Sequence, residues 1–135
     1  MKTKYNLKRA FKIGQILLLC FGLLLSLLRW INAFNDSIVV ITPEITYHIT
    51  NFSISLMAYL VIGSWWQTSG VKFRYIAALG AFLIAANFIC ETLLGFINTV
   101  DIVDAIYGTV GVLISFTYFC FAQKYGLTEI KAENQ

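Results

Sequence analysis

Five ionisable side chains stand in or beside long apolar stretches of the sequence, where a charge is costly. They are Arg29, Glu44, His48, Glu91 and Asp104. An ionised group at the centre of a bilayer costs about 3 kcal/mol on insertion scales, so such groups pair with one another or mark a binding site. A guanidinium binds phosphate or carboxylate groups, whereas carboxylates and an imidazole hydrogen-bond to hydroxyl and amide groups. These five residues are therefore the candidate ligand-binding set.

The same residues do not form a pattern typical of catalysis or of a cofactor site. His48 is the single histidine of the sequence, and no clustered spacing of metal ligands surrounds it. No activated nucleophile, glycine-rich phosphate loop or cofactor-binding motif accompanies the carboxylates. The sequence therefore predicts no metal and no cofactor, and it favours binding over catalysis while leaving the question of an enzyme open.

The composition indicates the environment of these groups. Hydrophobic residues make up 59% of the 135 residues and charged residues only 13%, far from the balance of a soluble domain. Four stretches, at 13–34, 43–66, 75–97 and 103–122, are each near the roughly 20 residues that cross a hydrocarbon core. We predict an all-α integral membrane protein whose four transmembrane helices form one domain over residues 13–122.

The basic residues are distributed by side of the membrane. Nine of the ten precede the first stretch, fill the second connection or follow the last stretch: Lys2, Lys4, Lys8, Arg9, Lys12, Lys72, Arg74, Lys124 and Lys131. The positive-inside rule then predicts an antiparallel bundle in the plasma membrane with both termini in the cytoplasm. Residues 1–12 would be a cytoplasmic basic arm and 123–135 a cytoplasmic tail. The net charge of +3 is thus explained without a nucleic-acid partner.

The ionisable groups share one predicted depth. Arg29 lies 17 residues after Lys12, and Glu91 lies 17 residues after Arg74. At about 1.5 Å per residue, both are lifted roughly 25 Å from the inner surface, into the layer of His48 and Asp104. Because lipid offers no partners to charged groups, the sequence predicts a polar pocket that opens toward the outer leaflet.

Helix ends and packing surfaces are also indicated. Thr42 followed by Pro43 predicts the start of the second helix, and Asp101 predicts the N-cap of the fourth. Small residues at helical spacing predict close packing on the third and fourth helices. They are Ala77, Ala81, Ala85, Gly108 and Gly111.

The order of these motifs resembles the VanZ-like family of small bacterial membrane proteins. The step from Glu44 to His48, then Glu91, then DIVDAIYGTVG from Asp101 to Gly111 carries the resemblance, which covers roughly residues 43–115. The family usually has an asparagine four residues after the aspartate, where this chain has a glycine. The resemblance implies a plasma-membrane protein, linked in some members to tolerance of glycopeptide antibiotics such as teicoplanin.

The leading hypothesis is that the outer pocket binds a lipid-linked glycan, a glycopeptide or another amphiphilic envelope ligand. Arg29 would bind a phosphate or carboxylate, with Glu91 as its counter-ion in the empty state.

Two alternatives stay open. A non-catalytic membrane partner, such as an immunity protein or a small complex subunit, would use the alanine stripe and the aromatic residues of the fourth helix. These aromatic residues are Phe116, Tyr118, Phe119 and Phe121. A small proton-coupled transporter would use Glu91 as the proton carrier.

Overall fold

The computed structural model describes residues 3–34, 42–93 and 101–130, apart from the side chains of Pro43, Glu44 and Leu93. Within these ranges the protein is built from four helices, α1 (Arg9–Phe34), α2 (Pro43–Thr68), α3 (Phe73–Leu93) and α4 (Ile102–Phe121). All four are long and apolar enough to cross a membrane. The prediction of an all-α, multi-pass membrane protein is therefore confirmed, while the predicted continuation of the third helix to residue 97 lies outside the described residues.

Helix α2 lies against each of the other three helices. Its closest approach is to α4, where a Cβ atom added to Gly111 would collide with the backbone oxygen of Phe52. Ser115 lies one turn further along α4 and donates a hydrogen bond to the backbone oxygen of Leu56 at 3.0 Å. A glycine and a serine therefore let two helix backbones come close enough for a polar contact in the apolar interior.

The core between the helices is small. Leu56, Tyr59 and Leu60 of α2 pack there with Ile76 of α3 and Phe119 of α4, all fully buried. Most of the remaining apolar side chains face outward, and α1 is the most exposed, with Leu17, Leu23 and Trp30 among its outward residues. Outward-facing apolar side chains of this kind are what a lipid environment requires of a spanning helix.

The alanine stripe of α3 does not face this core. Ala77 is half-buried, whereas Ala81 and Ala85 are exposed. The side of α3 that packs on α2 carries Gly80, where an added Cβ would meet the Tyr59 hydroxyl at 2.7 Å, and Asn87. Packing through the alanines remains a prediction for a contact with another chain. The aromatic surface predicted on α4 is wrong in part, because Phe119 is fully buried while Phe121 is 56% exposed.

The two ends of the chain pair with each other, which the sequence did not indicate. Strand β1 (Tyr5–Leu7) pairs antiparallel with β2 (Leu127–Glu129), which follows a π-helical turn, Ala122–Gly126, at the end of α4. The backbone nitrogen of Lys4 also donates to the oxygen of Thr68 at 2.8 Å. The segments expected to be a basic arm and a polar tail thus form a two-stranded sheet beside the α2–α3 turn.

Helix ends agree with the sequence to different degrees. Helix α2 begins at Pro43, as predicted, but the described side chain of its N-cap residue, Thr42, makes no capping hydrogen bond. The Thr42 backbone oxygen instead accepts a hydrogen bond from the hydroxyl of Thr46 at 3.1 Å. Asp101 is the N-cap of α4, and its carboxylate accepts from the backbone nitrogen of Val103 at 2.9 Å, which confirms the predicted cap.

Candidate functional site

His48 and Asp104 meet between α2 and α4. The Nδ1 atom of His48 lies 2.8 Å from Oδ1 of Asp104 and 3.7 Å from Oδ2 of Asp101. The side chains of His48 and Asp104 are each 20% exposed, so the contact is partly accessible. The ring of Tyr107, one turn further along α4, lies 5.4 Å from the imidazole. Asp101, the N-cap residue of α4, therefore also belongs to the site. The sequence predicted a binding role for Asp104 but not for Asp101.

Glu91 contacts α2 one turn along from His48. Its Oε1 atom accepts a hydrogen bond from Nδ2 of Asn51 at 3.3 Å, and the residue is only 6% exposed. One turn further along the helices, Nδ2 of Asn87 donates to the Ser55 hydroxyl at 3.0 Å. Amide and hydroxyl groups thus line the interface between α2 and α3, where a lipid-facing surface would leave the carboxylate unsolvated.

Arg29 reaches α2 from α1. Its Nη1 atom donates to the hydroxyl of Thr50, and one turn further along α1 the amide of Asn32 donates to the hydroxyl of Thr46 at 3.4 Å. An Arg29 to Glu91 ion pair was expected in the empty state. In the part of the chain that the structure describes, however, both ion pairs involve His48. The guanidinium is therefore hydrogen-bonded to a neutral hydroxyl and can still accept an anionic partner.

These contacts define one layer, which we call the His48 site: Arg29, His48, Glu91 and Asp104. Each of the four residues either belongs to or contacts α2 within residues 48–51, which is about one helical turn. The common depth inferred from residue spacing is thus matched by the contacts. Glu44 was placed in the same set, and its side chain lies outside the described residues.

Four further residues were missed by sequence reasoning. Asn51 lies on the polar stripe of α2 and was a detectable candidate, since it is three residues from His48. Thr50 and Tyr107 carried no signal, because one threonine or tyrosine in an apolar helix is unremarkable without its neighbours. Asp101 was recognised only as a cap. Its contact with His48 depends on how α2 and α4 are aligned, which spacing along the chain does not determine.

The three ligand-type side chains at this site are close enough to share a cation. One ligand atom from each of His48, Asp101 and Asp104 lies within 4.8 Å of the others. The sequence predicted no metal because the histidine and the aspartates are far apart along the chain. An imidazole and two carboxylates suit a divalent ion, which would take the place of the proton between His48 and Asp104.

An apolar groove adjoins the polar layer. Its volume is about 340 Å³, and it lies between α1, α2 and α4. Tyr107 belongs both to this groove and to the surroundings of the His48 ring. The other lining residues are apolar and include Phe21, Leu25, Ile49, Phe52 and Val110. A polar layer and an apolar groove therefore meet at one tyrosine.

Comparison with known proteins gives no relative for this arrangement. No protein-family model, no curated protein and no solved structure matches the chain. The resemblance to VanZ-like proteins therefore remains a prediction that rests on the motifs from Glu44 to Gly111.

Proposed function

We propose that the His48 site binds the polar head of an amphiphilic envelope ligand, such as a lipid-linked glycan or a lipidated glycopeptide. Arg29 would bind a phosphate or carboxylate of that head. His48 and Asp104 would hydrogen-bond to its hydroxyl or amide groups, and the adjoining groove would hold the apolar part. The protein in this proposal is a receptor or carrier for the ligand rather than an enzyme.

One observation carries the proposal: the polar layer and the 340 Å³ apolar groove share Tyr107. A ligand with a polar head and an apolar tail matches this juxtaposition, because each part meets a surface of its own kind. A purely structural ion pair would account for the contact between His48 and Asp104. It would not account for a guanidinium hydrogen-bonded to Thr50 in the same layer, beside an open groove.

The proposed function extends to the family and the cellular location. The protein is a VanZ-like protein of the bacterial plasma membrane with both termini in the cytoplasm, and it supports tolerance of glycopeptide antibiotics or envelope stress. The paired terminal strands support termini on a common side, because β1 and β2 hold the start of α1 and the end of α4 together. The lysines and arginines near those segments favour the cytoplasmic side.

The test is a comparison of isosteric substitutions in cells that depend on the protein for teicoplanin tolerance. Glu91→Gln and Asp104→Asn keep side-chain shape and remove the charge, so we expect both to abolish tolerance while the protein remains in the membrane fraction at its normal level. Thr109→Val on α4 is the control and should leave tolerance unchanged. Full tolerance in both charge-removing variants would contradict the proposal, and loss of the protein itself would indicate a structural role.

A second candidate function is favoured by the outward alanines of α3. Ala81 and Ala85 are exposed and would let a helix of another membrane protein approach closely. The protein would then be a non-catalytic partner, with Phe121 of α4 as a further contact. Purification in mild detergent distinguishes the two functions. A stoichiometric hetero-complex that Ala81→Leu disrupts would support the partner, and isolation of the chain alone would count against it.

A further inference from the structure

A second polar pocket lies at the opposite end of α2 from the His48 site. It has a volume of about 420 Å³ and is lined by the last turn of α2, the α2–α3 turn, the turn after α4 and the terminal sheet. We call it the Gln67 pocket; among its lining residues are Tyr5, Gln67, Lys72, Gln123 and Glu129. Because α2 spans the membrane, this pocket lies at a membrane surface, at the depth of lipid headgroups.

Gln67 is the buried polar residue of this pocket, and only 1% of it is exposed. Its amide nitrogen donates to the backbone oxygen of Phe119 and to the side-chain oxygen of Gln123, both at 3.2 Å. Its Oε1 atom, by contrast, is one of the buried acceptors without a hydrogen-bond partner in the described part of the chain. A buried amide oxygen without a donor is costly, so a ligand that supplies one would be bound favourably.

Two opposite charges complete the lining. Lys72 comes from the α2–α3 turn and Glu129 from the end of β2, and both are exposed. Neither belongs to an ion pair within the described ranges, where both such pairs involve His48. Among the described residues, the pocket therefore offers a cation and an anion outside any ion pair and an unsatisfied acceptor, which is complementary to a zwitterion that carries hydrogen-bond donors on its positive end.

An apolar groove continues from the pocket. It has a volume of about 560 Å³ and shares Val71 with the Gln67 pocket. Beyond Val71 it is lined by Trp66 of α2 and by Tyr75, Ala78, Leu79 and Phe82 of α3. Tyr75 to Phe82 is seven residues, or about 10 Å along the helix axis, so the groove runs from the headgroup level toward the membrane interior.

We infer that the Gln67 pocket and this groove bind one aminophospholipid of the leaflet on that side, with an ethanolamine headgroup. Its ammonium group donates to the carboxylate of Glu129 and to Oε1 of Gln67. Its phosphate accepts from the ammonium group of Lys72, and an acyl chain lies along Val71, Ala78 and Phe82. This lipid site is separate from the His48 site and does not depend on the function proposed for it.

The chemistry of the headgroup predicts that the pocket distinguishes among phospholipids. A phosphatidylcholine headgroup has the same charges but no N–H group, so it cannot donate to Gln67 or Glu129. A phosphatidylglycerol headgroup lacks the cation and would leave Glu129 facing an anion. An apolar groove alone would retain all three lipids equally, so preference among headgroups reports on the pocket.

The test is native mass spectrometry of the purified full chain, titrated with phosphatidylethanolamine, phosphatidylcholine or phosphatidylglycerol that carry identical acyl chains. We expect phosphatidylethanolamine to be retained about tenfold better than phosphatidylcholine, as one or two charge-assisted hydrogen bonds would give. Equal retention of these two lipids by the unmodified chain would overturn the inference. So would stronger retention of phosphatidylglycerol, which would indicate an anion site at Lys72.

Four variants test the contacts of the headgroup and of the acyl chain. Glu129→Gln should reduce the preference for phosphatidylethanolamine over phosphatidylcholine to within about twofold. Lys72→Gln removes the partner of the phosphate, which all three lipids carry, and should lower the retention of all three. Lys124→Gln is the matched control, because Lys124 is a basic residue at the same end that does not line the pocket. A fall in lipid retention in this control as large as in Lys72→Gln would overturn the inference. Ala78→Trp fills the groove and should lower retention of all three lipids, and unchanged retention would exclude the groove.

Discussion

The His48 site and the Gln67 pocket lie at opposite ends of α2, and each joins a polar surface to an apolar groove. In the His48 site the charged groups belong to the helices themselves and are held by α2 through His48, Thr50 and Asn51. In the Gln67 pocket the charges come from a turn and a terminal strand, and the amide of Gln67 comes from the last turn of α2. The first site is built by helix packing and the second by the connections.

This difference determines how each site should respond to change. The His48 site stabilises the bundle, because its contacts join three helices to α2 where lipid would offer the charges no partner. As far as the structure describes the chain, the Gln67 pocket contains an unsatisfied acceptor and two charges outside any ion pair, so its own contacts contribute less to stability and more to binding. Substitutions in the helix interface should therefore lower stability more than substitutions in the connections.

The largest effect is expected between the two sites, at Gly111. Gly111→Ala places a Cβ against the backbone oxygen of Phe52, so α2 and α4 must separate, at a cost of about 3 kcal/mol in the free energy of unfolding. Thermal unfolding in detergent micelles measures it. Gly14→Ala is the control, because its Cβ would meet Tyr118 at an ordinary 3.9 Å. Equal unfolding temperatures for both variants would show that the close approach of α2 and α4 is not needed.

The next effect is expected at the His48 site. Asp104→Ala removes the partner of the His48 imidazole and should lower the free energy of unfolding by about 2 kcal/mol, the range of a hydrogen bond to a charged group. Denaturant unfolding followed by tryptophan fluorescence measures the change. Val103→Ala, an exposed neighbour, should cost much less. A stability of Asp104→Ala no lower than that of Val103→Ala would place the aspartate outside the structural layer.

A smaller effect is expected beside the Gln67 pocket, at Gly70. This residue has φ +79°, a left-handed conformation that Gly70→Ala would strain by about 1 kcal/mol. We expect a small drop in unfolding temperature together with a weaker preference for phosphatidylethanolamine, because Gly70 lines the pocket. A loss of stability as large as that of Gly111→Ala would mean that the connections hold the bundle as strongly as the helices do.

The smallest effect is expected at Asp101. Two substitutions separate its role as the cap of α4 from its role as a charge beside His48. Asp101→Ala removes the cap of α4 and should cost about 0.5 kcal/mol, the low end for an N-cap. Asp101→Asn keeps a capping oxygen and removes the charge near His48, so its stability should equal that of the unmodified chain. Differential scanning fluorimetry of both variants suffices. Equal losses in the two variants would show that the charge beside His48 matters more than the cap.

Sequence reasoning anticipated one end of the molecule better than the other. Four apolar stretches imply four helices, and a charge in such a stretch must have a partner, which is why Arg29, Glu91 and Asp104 could be assigned to one layer. Periodicity does not specify which helices touch. The contact of His48 with Asp101 and the pairing of Arg29 with Thr50 depend on the rotation of each helix about its axis.

The Gln67 pocket was not predictable for a different reason. It is formed where residues near the two ends of the chain come together, with Tyr5 opposite Glu129 in the sheet. Such pairs have the longest separation along the chain and leave no periodic pattern. A strand of three residues is also too short for alternation to be recognised. Their composition predicts that both terminal segments are polar surface. The hydrogen bonds between β1 and β2 become visible only in the folded structure.

The most direct measurement is binding of a polyprenyl-pyrophosphate disaccharide to the full chain by native mass spectrometry, with phosphatidylethanolamine titrated in parallel. We expect opposite losses in the two variants. Asp104→Asn should lose the glycan lipid about tenfold and keep the preference for phosphatidylethanolamine, whereas Glu129→Gln should do the reverse. Failure of the unmodified chain to bind the glycan lipid, or binding that Asp104→Asn leaves unchanged, would contradict the function proposed for the His48 site.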